Sequence, residues 1–132
     1  MTSLPRHKLM ASRAKSRGRI RSSDRSSEEW GYVVIWEFQV RAGRERRFEK
    51  VYGSEGDWAR LFAQDASYIG TELIHHFNGG RIYMTMDFWT SRQAFDEFKE
   101  SNLARYKALD RKCEDLTESE TEIGSFVRIL NK

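Results

Sequence analysis

Cysteine occurs once in the 132 residues, at Cys113. A single thiol excludes an intrachain disulfide and any thiolate metal cluster built by one chain, and it suits a reducing compartment. Long apolar runs are absent too. None approaches the roughly 18 residues that a spanning helix needs, and the N-terminus lacks the apolar centre of a secretory signal. These absences predict a cytoplasmic protein with no membrane partner. The length suits one domain with one core and is too short for two.

Acidic residues are scarce at the start of the chain. Residues 1–27 carry Arg6, Lys8, Arg13, Lys15, Arg17, Arg19, Arg21 and Arg25 against Asp24 alone, a net of +7. The whole chain is +3, so residues 28–132 carry −4. The basic segment is rich in Ser and Arg and poor in apolar residues, so it cannot bury enough surface to offset its ordering entropy, and disorder is expected. Its composition is compatible with a nucleic-acid arm, a transit peptide or a tether to anionic membrane. No aromatic residue interleaves the charges to stack on bases, so no specific nucleic-acid partner is expected. A solvated extension accounts for the composition without any of these roles.

The domain is taken as residues 28–132, and from Gly31 onward the chain is periodic. In "YVVIWEFQV", Val34, Trp36, Phe38 and Val40 alternate with Val33, Ile35, Glu37 and Gln39, which is the pattern of a strand with two faces. Phe48, Val51 and Tyr52, then Trp58, Leu61 and Phe62, recur at helical spacing. "YIGTELIHHF" and "RIYMTMDFW" flank Asn78-Gly79-Gly80, a tight-hairpin signal. A two-residue loop would put Ile69, Thr71, Leu73 and His75 on one face with Ile82, Met84, Met86 and Phe88; a three-residue loop would reverse this.

After Trp89, Thr90 and Gln93 offer a capping box for a helix bearing Ala94, Phe95 and Phe98. Leu103, Tyr106, Leu109, Cys113 and Leu116 continue at spacings of three and four, and "TEIGSFVRIL" alternates as a last strand. The order β-α-β-β-α-β predicts an α+β, ferredoxin-like subunit with a four-stranded antiparallel sheet and helices on one face. On the two-residue loop, the uncovered face would carry Val33, Ile35, Ile74, Tyr83 and Trp89. That is more apolar area than a monomer usually exposes, so a homodimer is expected.

The stretch "VYGSEGDWARLF" has the glycines of a phosphate loop but not its chemistry. A Walker loop follows a strand and ends in Gly-Lys-Ser/Thr, whereas here the glycines follow a helix and Gly56 precedes Asp57 and Trp58. The expected role is a bend, with Gly53 ending one helix in a left-handed conformation and Asp57 or Ser54 capping the next.

"YGSEGDWARLF", "YIGTEL", "FWTSRQAFDEF" and "YKALDRKCEDLTESETEIGSF" together resemble the antibiotic biosynthesis monooxygenase (ABM) family of the dimeric α/β-barrel superfamily. The resemblance runs from about Tyr32 to Val127, and its most telling piece is Phe88-Trp89 leading into a helix. It implies homodimers in which two four-stranded sheets join into a barrel. It further implies oxygenation of polycyclic aromatic substrates by molecular oxygen with no flavin or metal cofactor. A haem-degrading branch also exists, but its first-strand asparagine falls near Phe38, its helix tryptophan on Phe98 and its iron-ligating histidine on Ala108, so haem degradation is not expected.

Two function classes follow. One is a cofactor-independent monooxygenase acting on a small aromatic, polyketide-like or quinone-like metabolite. Its pocket would be lined by Trp36, Phe38, Met84, Met86, Phe88, Phe95 and Phe98, with His75 as base and Tyr106 or Tyr83 as donor. The other is a non-catalytic barrel that binds a small hydrophobic ligand or serves as an interaction module, the same aromatic stripe being ordinary core. His75 and His76 point to opposite faces and cannot share a metal ion. His76 could approach Glu37, Glu72 and Asp87, where a hydrogen-bond network is expected and no metal site is assigned. Cys113 on its apolar stripe reads as a packed thiol.

Overall fold

The computed structural model describes residues 30–130, so the basic segment and its expected disorder lie outside the described residues. The elements run β1 (Tyr32–Val40), α1 (Glu45–Tyr52), α2 (Asp57–Phe62), β2 (Tyr68–His75), β3 (Ile82–Trp89), α3 (Arg92–Ser101), α4 (Leu103–Lys112), a 3₁₀ turn (Glu114–Leu116) and β4 (Thr117–Val127). All strand pairs are antiparallel and the sheet order is β2-β3-β1-β4. This is the expected ferredoxin-like α+β arrangement. No helix among the described residues is long and apolar enough to cross a membrane.

Alternation places β1 as expected. Tyr32, Val34, Trp36, Phe38 and Val40 are buried beneath the helices. Phe48, Val51 and Tyr52 of α1 pack down on them, with Phe48 and Tyr52 stacked at 4.3 Å and Phe38 5.0 Å from Tyr52. Trp58, Leu61 and Phe62 repeat this on α2.

The bend between the two helices is structural, but not as expected. Gly53 is extended rather than left-handed, and the N-cap of α2 is Gly56, with no side-chain cap from Ser54 or Asp57. Gly56 is required by space, since a Cβ there would collide with the carbonyl oxygens of Lys50 and Val51. Similarly, α3 is capped by Ser91, whose Oγ accepts from the Ala94 N–H at 3.1 Å, and not by a Thr90–Gln93 box.

The largest correction concerns β3. The two-residue hairpin does not form. His75 pairs with Tyr83, His76 N donates to Ile82 O, and residues 77–81 make the connection, with Gly79 and Gly80 at φ 85° and 68°. This odd-numbered connection has the parity of the three-residue alternative, so every β3 side chain changes face. Tyr83, Thr85, Asp87 and Trp89 point under the helices, while Ile82, Met84, Met86 and Phe88 point to the open side. Tyr83 and Trp89 are therefore core residues, not part of the open face. Val33, Ile35 and Ile74 remain on it, joined by the Met84, Met86 and Phe88 set. At one end Trp30 packs edge-on against Phe88 at 4.9 Å, with the Arg128 guanidinium 5.1 Å from its ring.

Candidate functional site

Between sheet and helices lies a layer of aromatic rings. Trp89 is at its centre, with Phe95, Phe98, Phe62 and Tyr68 at centroid distances of 5.3 to 5.5 Å. Tyr106 is fully buried and meets Trp58 edge-on at 5.0 Å. Of the expected pocket residues, the structure brings Trp36, Phe38, Phe95, Phe98 and Tyr106 into this layer. Met84, Met86 and Phe88 are not in it, because the hairpin parity turns them to the other face.

His75 is on the helix side of β2 but stands exposed at the hairpin end. Its ring stacks on Tyr83 at 4.1 Å with planes 2° apart, and Nε2 lies 3.1 Å from Gly80 O, where a ring N–H donates to the carbonyl. It braces the hairpin rim and is withdrawn from the aromatic interior, so the assignment of His75 as base to that interior is corrected. Tyr83 donates to Glu49 Oε2 at 2.6 Å. Burial first, then the hydrogen bond and negative charge of Glu49, with Glu45 adding, raise its pKa above the usual tyrosine range.

The polar groups of the interior come from β3 and β2. Asp87 is 3% exposed and is the one charged residue that is buried among the described residues. Its Oδ1 accepts from Thr71 Oγ1 at 2.6 Å, and Thr71 Oγ1 is 2.5 Å from the Tyr68 hydroxyl. Thr71 and Asp87 are register partners. Thr85 Oγ1 and Trp89 Nε1 are buried on the same face with no hydrogen-bond partner among the described residues. Asp87 is thus removed from the His76, Glu37 and Glu72 side, and no group of three metal-binding side chains forms among the described residues. Cys113 is buried, as its apolar stripe implies.

The Asp87 site was legible only as a pattern. In "IYMTMDFW" the even positions are all apolar and the odd ones mixed, so hydrophobicity alone turns the wrong set inward.

No family model matches the chain, and no curated protein matches it. Among solved structures, PA3566 from Pseudomonas aeruginosa is similar, with a TM-score of 0.54 and 13% sequence identity over 76% of this chain and 96% of that one. At this identity the likeness carries the fold alone.

Proposed function

We propose that this chain is a cofactor-independent monooxygenase of the antibiotic biosynthesis type, acting as a homodimeric α/β barrel on a small aromatic, polyketide-like or quinone-like metabolite. One observation carries the reading: β3 presents a hydroxyl, a carboxylate and an indole N–H, on Thr85, Asp87 and Trp89, to an interior rich in aromatic rings. An oxygenase without a cofactor needs a base to take a proton from the substrate and donors to stabilise the enolate that results. Asp87 takes the role first given to His75, and Thr85 and Trp89 are the donors. The substrate carbanion then reduces oxygen; its methylene loses two hydrogens, one oxygen atom becomes the carbonyl and the other leaves as water.

The outward face of β3 supports the dimer. Ile82, Met84, Met86 and Phe88 make it more apolar than the inward face, and Ile74 beside it on β2 and Phe126 across β1 on β4 are 45% and 48% exposed. A second copy covering this face would remove that area from water. Light scattering on the full chain should report twice the chain mass.

The non-catalytic barrel is favoured by a different observation, the near-complete burial of Phe38, Phe95 and Phe98 in ring-to-ring contact, which leaves those positions filled by protein. Incubation with 9-anthrone under labelled oxygen separates the two. The oxygenase gives a quinone carrying one labelled atom with no flavin or haem added. Absence of label across several such substrates, with binding retained, would replace the enzyme by the binding barrel.

A further inference from the structure

The β2 strand carries a register shift between Tyr68 and Gly70: Tyr68 pairs with Trp89 and Gly70 with Phe88, which makes Ile69 an extra residue. In a regular strand Tyr68 and Thr71 would point to opposite faces. The bulge turns both inward, so their hydroxyls meet at 2.5 Å beside Asp87. Bulges re-aim side chains, and here the result is an unbroken line of three oxygens.

The direction of the line follows from proton counting. Thr71 has one hydroxyl proton and donates it to Asp87 Oδ1, so at the other contact its oxygen accepts and Tyr68 donates. The Thr71–Asp87 bond is in the short range of a hydroxyl donor on a carboxylate, and the hydroxyl-to-hydroxyl contact of Tyr68 with Thr71 is as short. Asp87 is the most deeply buried member, while Tyr68 and Thr71 are each 8% exposed. Tyr68 stands at the start of an edge strand, against Phe62 and Trp89.

We propose that Tyr68, Thr71 and Asp87 form a proton relay that deprotonates the bound substrate, an inference that rests on the oxygenase reading and gives its base, Asp87, a path to the substrate. Tyr68 is the catalytic residue, and Thr71 and Asp87 act through it. A substrate proton passes to Tyr68 Oη as the tyrosine's own proton moves to Thr71 Oγ1 and that of Thr71 to Asp87 Oδ1. The substrate is left as the enolate and Asp87 as the neutral acid. The same proton returns along the line when the peroxide formed with oxygen collapses to the carbonyl and water, so the relay ends as it began. The ligand class that this chemistry calls for is an aromatic ketone with an acidic methylene or a phenol.

The test uses the full-length protein and 9-anthrone in two arms. Without oxygen, in deuterium oxide, the wild type should accelerate exchange of the anthrone methylene hydrogens above the buffer rate. Thr71→Val, which keeps the shape and breaks the line, should lower the enzymatic exchange by about 100-fold or more. Asp87→Asn and Tyr68→Phe should match it, with Tyr68→Phe keeping the ring contacts if Asp87→Asn fails to fold. Thr71→Ser should recover at least about tenfold over Thr71→Val, which packing alone would not produce. With labelled oxygen, product formation should follow the same order. If the wild type incorporates label while Thr71→Val and Tyr68→Phe exchange at its rate, the relay is overturned and the oxygenase survives. If exchange depends on the three residues but no label enters any product, the relay stands and the oxygenase falls. A wild type that accelerates neither process overturns both.

Discussion

Tyr83→Phe removes one oxygen atom and leaves the ring on its neighbours, Phe48 at 5.0 Å and His75 at 4.1 Å. What is lost is the 2.6 Å hydrogen bond to the Glu49 carboxylate. Bonds to charged groups contribute about 1.5 to 3 kcal/mol. Glu49 lies on the exposed side of α1 and is rehydrated when the phenol is gone, which places the loss near the lower end, at about 1.5 kcal/mol. For a domain of this size that is roughly 6 to 12 °C in Tm at fixed protein concentration. Urea unfolding of the wild type, Tyr83→Phe, Glu49→Gln and the double variant should show a coupling of about 0.5 kcal/mol or more. The pH dependence has a defined sign. The folded pKa of Tyr83 is raised above its ordinary 10.0, so its contribution is complete below about pH 10 and is lost as the pH rises toward the folded value. The gap between wild type and Tyr83→Phe should therefore shrink above about pH 10. A loss within about 0.3 kcal/mol, with no coupling, would mean that the hydroxyl is in water. It would refute the β3 register on which the interior assignment depends.

Gly56→Ala should cost about 2 kcal/mol or more, because the new methyl meets the Lys50 and Val51 carbonyls, which belong to a helix and cannot give way cheaply. Gly70→Ala, whose Cβ meets nothing within 4 Å, should cost far less by the same melting assay, and equal losses would refute the steric account. Burial, the largest cause, lowers the pKa of Lys99 against the opposing pull of Asp96 and Glu122. The folded state therefore disfavours this charge relative to the unfolded chain, and wild-type stability should rise relative to Lys99→Met as the pH climbs through the folded pKa toward 10.5. At neutral pH Lys99→Met should stay within about 0.5 kcal/mol of wild type or gain, and a loss above about 1 kcal/mol in urea unfolding would contradict this balance.

The sequence by itself determined the order of elements and the face of β1. There the inward set, Trp36, Phe38 and Val40, faces a partly polar set with Glu37 and Gln39, and solvation leaves only one choice. The helical stripes around Phe48, Trp58, Phe95 and Tyr106 were decided in the same way, as was the bend at Gly56. For β3, alternation shows which residues share a face but not which face turns inward. The hydrophobic contrast runs the wrong way there, with Ile82, Met84, Met86 and Phe88 outward and Thr85 and Asp87 inward. The odd-numbered connection at residues 77–81 decides the face of β3, and the bulge at Ile69 decides that of Tyr68. Both are backbone events that depend on how β2 and β3 meet in three dimensions. His75 is likewise an inward-phase residue by sequence, yet it sits beyond the reach of the helices and is left in water. The aromatic interior was therefore readable from composition and spacing, whereas the line of Tyr68, Thr71 and Asp87 exists only because the odd-numbered connection and the single bulge at Ile69 bring those oxygens together.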